Sequence, residues 1–180
     1  MQSQRLAALA TFMTLSLAPA CALAVDGASL DFGDGVDVAM IRLGVQSNWD
    51  KRWFDSNGTH VSGYWEATLA QWRGTAYQGI DGRHQNLTDI GLTPVFRLHA
   101  NDGKGWYLEG GIGLHYLSTL YDNDHHKLST RYQFGDQIGV GYVFHNGWET
   151  GLSISHVSNG GIKKPNSGVN FLLLRAKKSF

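Results

Sequence analysis

The chain has 180 residues and balances 15 Lys+Arg against 15 Asp+Glu, so no basic surplus marks nucleic acid as a partner. Its 23 glycines, 12% aromatic content and only 17% charged residues favour one β-rich domain over a helical fold. The single cysteine, Cys21, excludes an internal disulfide.

Residues 1–24 read as a signal peptide. Arg5 supplies the positive region, "LAALATFMTLSLAPA" is an apolar run too short to span a bilayer, and Ala22–Ala24 has the small-x-small form of a cleavage site. Cleavage after Ala24 leaves Val25 as the first mature residue and removes Cys21; Pro19 fits poorly with a lipoprotein site at that cysteine. No later segment offers the roughly 18 consecutive apolar residues of a membrane helix. The remainder, 25–180, is therefore exported without a helical anchor, either as a soluble periplasmic or secreted protein or as an outer-membrane barrel.

Alternation decides between the two. "VDGASLDFG" (Val25 to Gly33) is a weak first strand, and "VAMIRLGVQ" alternates around Ile41, Leu43 and Val45. "VSGYWEATLAQW" sets Trp65, Ala67 and Leu69 against Tyr64, Glu66 and Thr68. "NLTDIGLTPVFRLHA" sets Ile90, Leu92, Pro94, Phe96 and Leu98 against Asp89, Thr93, Arg97 and His99. "GWYLEGGIGLHYLS", "RYQFGDQIGVGYVF", "GWETGLSISHVS" and "GVNFLLLRAKKSF" continue the pattern, making seven clear strands plus the weak one. These runs are longer than strands of globular proteins and match a tilted bilayer crossing. One face is apolar; the other mixes Arg, Glu, His and Gln with Gly, as in a narrow filled lumen. A soluble lipocalin-like barrel would need the apolar face inward and a more charged exterior. The expected fold is an all-β, eight-stranded antiparallel transmembrane β-barrel.

The connections fit. "NDGKG" and "HNG" are short turns, whereas "SNWDKRWFDSNGTH" and "LYDNDHHKLST" are longer polar loops, and short turns are expected on one end with long loops on the other. Trp49, Trp53 and Trp65 read as interface girdle, and His99 and His115 as lumen residues beside Arg97 and Glu109. "DNDHHK" (Asp122 to Lys127) holds ligand-type residues without a spacing that fixes a metal, so no metal site is assigned. Phe180 ends the chain in the outward phase of the last strand, resembling the assembly signal of outer-membrane barrels.

The chemistry concentrates near the C-terminus. Trp148, Leu152, Ile154, His156 and Ser158 share one phase of their strand, so a base and a hydroxyl stand on the face that meets lipid. Residues i and i+2 on one face lie roughly 7 Å apart. A hairpin through "NGGIKKPNSG" brings His156 opposite Asn170, at a cross-strand spacing of about 5 Å. Polar groups facing hydrocarbon are costly, and such an arrangement makes sense when the substrate is a lipid of that bilayer. Taken alone, His-x-Ser-Asn-Gly-Gly is also ordinary strand-end and turn chemistry.

"HVSNGGIKKPNSGVNF" resembles the signature of the lipid A 3-O-deacylase family of Gram-negative outer membranes. "SGYWEATLAQWRG", "LTPVFRLHA", "YLEGGIGLHYLS" and "FGDQIGVGYVF" resemble strands of the same family, so the likeness covers nearly the whole mature chain. It implies an outer-membrane serine esterase that removes the ester-linked 3-hydroxyacyl chain at position 3 of lipid A, with no cofactor. Carried over by position, Ser158 is the nucleophile, His156 the general base, and Asn159 with the Gly160 N–H the oxyanion donors. Lys163 and Lys164 stand beside the site as point charges for lipid A phosphates, or simply as a solvated loop.

The family's triad acid is expected at position 170, where this chain has Asn170. An amide carbonyl can orient the imidazole but cannot offset its charge, and the amide-for-acid exchange in a serine-protease triad costs about 10⁴ in turnover. Asp136, outward on its own strand, is an alternative carboxylate; Glu149 is in the wrong phase. Two other functions remain open on the residues alone: a non-enzymatic adhesive or structural barrel, and an esterase of glycerophospholipid. The expected partners are lipopolysaccharide, outer-membrane lipid and the barrel assembly machinery, with both a monomer and a homodimer open.

Overall fold

A computed structural model of the chain describes residues 24–180. The signal-peptide assignment, apart from Ala24, lies outside the described residues.

Eleven strands follow one another: β1 (Gly27–Gly35), β2 (Val38–Asn48), β3 (Trp53–Ser56), β4 (Thr59–Gly74), β5 (Gln85–Ala100), β6 (Gly105–Leu117), β7 (Asp122–Asn123), β8 (His126–Lys127), β9 (Tyr132–Val143), β10 (Trp148–Ser158) and β11 (Val169–Ser179). Eight of them form the wall of a closed antiparallel barrel; β3, β7 and β8 are short loop strands. Closure comes from β1, which pairs with β2 on one side and with β11 on the other, from Gly27 opposite Ser179 to Asp34 opposite Leu172. The weak first strand is thus real, displaced by two residues from its expected start.

Strand parity follows the residue pattern. Leu69, Ile90, Leu92, Ile138, Leu152, Ile154, Leu172 and Leu174 are exposed on the outer wall, where only lipid can cover them, while Asp89, Thr93, Arg97 and Phe171 point inward and are buried. The lumen is filled in two layers. Mid-barrel, Arg175 bonds Asp31 at 2.8 Å and Glu66 at 2.9 Å, Arg42 bonds Asp31 at 2.7 Å, and Arg97 joins Glu109 and Glu149, each at 2.8 Å. Towards one mouth an apolar plug of Trp72, Leu87, Leu117, Phe171 and Leu173 closes the barrel. His115 packs in the lumen against Asp89 at 2.9 Å, and His99 sits near the opposite mouth, bonded to Ser62 at 2.8 Å.

The first described residues and Phe180 lie at one end with the turns at 101–104 and 144–147 and the loop 49–58; the loops 75–84, 118–131 and 159–168 share the other with the two-residue turn 36–37. Apart from the tight turn 36–37, the end with the three long loops is the extracellular one and the end with the short turns 101–104 and 144–147 the periplasmic one. The segment 47–60 corrects the expected division, because it lies with the short turns. It is not a free loop: β3 folds back on β4 through Asn57 (φ 52°) and Gly58 (φ 78°), the left-handed pair of a two-residue hairpin turn. Trp49 then packs edge-on against Trp53, Trp65 and Phe96 with ring centroids 5.1–6.0 Å apart, an aromatic cluster on the outer wall at the periplasmic rim.

Candidate active site

β10 carries His156 and Ser158 past Leu152 and Ile154 on the outward phase, just before the extracellular loop 159–168. Register sets His156 between Asp136 of β9 and Asn170 of β11, so three polar side chains cross the outer wall in one row. The Nδ1–H of His156 donates to Oδ1 of Asn170 at 2.7 Å. An amide oxygen accepts but does not donate, so this bond places the proton on Nδ1 and leaves the Nε2 lone pair free. That is the tautomer a general base needs.

Gly168 sets the other limit on the imidazole. Its φ is +70°, a region that favours glycine, and a Cβ there would collide with Cε1 of His156. The ring is therefore seated against bare backbone immediately before β11. Sequence reasoning missed this residue; its signal was the Gly closing "PNSG", which reads as plain turn chemistry.

The hydroxyl of Ser158 accepts the Gly160 N–H at 3.4 Å. Among the described residues it has this one partner, and no hydrogen bond joins it to His156. Asn159 is 1% exposed and its side chain is committed to the loop. Nδ2 donates to the Lys163 carbonyl at 2.7 Å and to Ser129 Oγ at 3.3 Å, and Oδ1 accepts the Gly161 N–H at 3.0 Å. The residue expected to offer an oxyanion amide instead braces the turn that presents Gly160. Ser129, from the neighbouring loop, locks the two loops together: its hydroxyl donates to the Lys163 carbonyl at 2.7 Å, and its N–H to the Pro165 carbonyl at 3.1 Å. Nothing local in the sequence marks that role. The side chains of Lys163 and Lys164 are exposed.

The likeness to known proteins covers this whole arrangement. The family model described as lipid A 3-O-deacylase (PagL) matches residues 39–179. The chain belongs to that family. It is 34% identical over 129 residues to the lipid A deacylase PagL of Pseudomonas aeruginosa, covering 71% of this chain and 70% of that protein. To the lipid A deacylase PagL of Bordetella bronchiseptica it is 31% identical over 171 residues, 91% of each chain. The crystal structure of the outer membrane enzyme PagL superposes with a TM-score of 0.76 at 29% identity, over 86% of this chain and 99% of that one. The Yersinia pestis outer membrane protein Ail superposes with a TM-score of 0.51 at 13% identity, over 87% of this chain and 99% of that one, a likeness of fold alone.

Within this lipid A 3-O-deacylase barrel, the outer wall beside His156 is indented. A groove of about 530 Å³ runs from His156 and Asp136 past Ile138 and Ile154 to Gly110 and Phe96. Two features open it. Gly110 occupies an outward position between Phe96 and Ile138 and contributes no side chain. The β5–β6 ladder also lapses at Thr93 and Pro94, between the pairs Leu92–Leu114 and Val95–Gly111, because Pro94 has no N–H to donate. The groove leads from this polar row towards the bilayer interior.

Proposed function

We propose that the chain is an outer-membrane serine esterase that hydrolyses the 3-O-linked 3-hydroxyacyl chain of lipid A, with Ser158 as nucleophile and His156 as general base. The observation that carries the reading is the 2.7 Å bond from His156 to Asn170, which fixes a base-competent imidazole on a lipid-facing wall. A χ1 rotation carries the Ser158 hydroxyl from the Gly160 N–H towards Nε2. Nε2 takes the hydroxyl proton as Oγ attacks the ester carbonyl, and the resulting oxyanion accepts from the Gly160 N–H, with Asn159 holding that turn in place. Collapse expels the sugar 3-oxygen, which receives the proton from His156. Water then attacks the acyl-serine with the same imidazole as base and releases the hydroxy fatty acid. No step requires a cofactor.

Asn170 keeps the tautomer but brings no charge to the imidazolium, so turnover is expected to be modest. On this reading the exposed Lys163 and Lys164, in the loop beside the site, meet lipid A phosphates as point charges. The same reading has Val25 as the mature N-terminus and Phe180 as the feature met by the barrel assembly machinery; cross-linking in membranes decides between monomer and homodimer.

The test is mass spectrometry of lipid A from cells expressing the protein. Wild type removes one hydroxyacyl chain, and Ser158→Ala, expected to cost on the order of 10⁶ in turnover, removes none. Identical lipid A from both would end the proposal. Release of fatty acid from purified phospholipid, but not from lipid A, would transfer the activity to glycerophospholipid.

A further inference from the structure

Asp136 is the one carboxylate in the catalytic row, and the mechanism above does not use it. It lies on the outward phase of β9, directly across from His156, and lines the groove with it. Among the described residues it has neither a hydrogen-bond donor nor a cation as partner. A carboxylate on the hydrocarbon side of a barrel without a partner is costly, and β9 otherwise shows Phe134, Ile138 and Val140 to the membrane. The groove beyond it is lined by Phe96, Ile112, Ile138 and Ile154. An acyl chain satisfies those walls and leaves the carboxylate wanting a donor near the ester end of the chain.

Building on the deacylase reading, we infer that Asp136 accepts a hydrogen bond from the 3-hydroxyl of the acyl chain being removed, and so selects 3-hydroxyacyl over unhydroxylated chains. The reach agrees. Ser158 is opposite Phe134, so Asp136 is its diagonal neighbour, and such pairs are about 7–8 Å apart. From Oγ to the carboxylate the substrate contributes an attack distance of roughly 3 Å, three bonds of roughly 1.5 Å each and one hydrogen bond of roughly 2.7 Å. With the bends of a real chain, these close the gap. The 3-hydroxyl is also placed by chemistry: it lies two carbons from the carbonyl that Ser158 attacks, hence at the mouth of the groove where Asp136 stands, and the apolar remainder of the chain runs on past Ile138 and Ile154.

The experiment uses the purified barrel in detergent with two synthetic acylated glucosamine phosphates that differ only in carrying a 3-hydroxytetradecanoyl or a tetradecanoyl group at position 3. The quantity read is the ratio of the two kcat/KM values within each variant, which does not depend on the fraction folded. A hydrogen bond to a charged group is worth a preference on the order of 10- to 100-fold in wild type, and Asp136→Leu should reduce it to within about twofold. Asp136→Asn, which keeps the shape and one acceptor oxygen, should retain part of the preference. A wild type that cleaves both substrates equally, or an unchanged ratio in both variants, overturns the assignment while leaving the esterase intact. Equal losses on both substrates, as expected if Asp136 served only the imidazole, overturn it too. A wild type that cleaves neither substrate overturns the deacylase reading along with it.

Discussion

At the scale of single residues, the site depends on what holds one imidazole. Asn170 accepts its Nδ1–H at 2.7 Å from β11, and Gly168 leaves room for its ring. The amide fixes orientation; in the proposed mechanism a carboxylate would also stabilise the imidazolium formed when His156 takes the Ser158 proton. Asn170→Ala should therefore lower kcat, by roughly 3- to 10-fold for a lost hydrogen bond, whereas Asn170→Asp or Asn170→Glu should raise it above wild type. Initial rates of hydroxy fatty acid release, normalised to folded barrel on an unheated gel, check both directions. No response at all in the three variants would mean that the imidazole is held by something else. Parity had already put His156 and Ser158 outside the barrel, because a period of two residues admits only two faces; the last strand is apolar on both faces, so Asn170 joined them only through the phase of Phe180. What alternation could not supply was the third dimension. That Asn159 spends its amide on Lys163 and Ser129, and that Gly168 lies under the imidazole, depends on two loops meeting, and no local pattern encodes it.

At the scale of elements, seven wall strands were clearly legible from their alternation over a bilayer's thickness, and the eighth, β1, only weakly, because its short run of Gly, Ser and Asp alternates less sharply. The segment 47–60 was misplaced because its polar, aromatic composition resembles an exposed loop. The informative pair within it was Asn57–Gly58, a hairpin signal that makes β3. The groove was hidden for the opposite reason. Gly110 looked like one more glycine on a strand rich in them, and its importance appears only when Phe96, Ile138 and Ile154 are lined up beside it. A Cβ at Gly110 would lie 3.3 Å from the Gln137 carbonyl, tight enough that Gln137 must give by a few tenths of an ångström. Gly110→Leu should then fill the groove with a side chain. Turnover of long-chain lipid A should fall by on the order of 10- to 100-fold, given how strongly a misplaced reacting group slows an enzyme. Hydrolysis of a short, soluble ester that does not need the groove should be nearly unaffected. Parallel assays on the two substrates separate this outcome from a general loss of folding, which would lower both.

At the scale of the whole molecule, a wall that faces lipid leaves the lumen as the only interior, and this chain fills it with charge. Arg175 joins Asp31, Glu66 and, at 3.6 Å, Glu109; it is 4% exposed, and its acidic partners are almost wholly enclosed. Because these residues come from β1, β4, β6 and β11, the network ties opposite walls of the barrel together, beneath the apolar plug of Trp72, Phe171 and Leu173. A rigid wall is what keeps Asp136, His156 and Asn170 in one row across three strands. Arg175→Met removes the cation and leaves Asp31 and Glu66 facing one another with fewer donors. Breaking a buried pair from one side costs roughly 3–5 kcal/mol. The folded, fast-migrating form on unheated gels should therefore give way at a lower temperature or urea concentration than wild type, with hydrolysis lost over the same range. Adding Asp31→Asn and Glu66→Gln to Arg175→Met removes the stranded charges together and should recover much of the loss. Recovery in the triple variant separates an electrostatic cause from the mere absence of the Arg175 side chain, since the latter would leave the triple variant as weak as the single one.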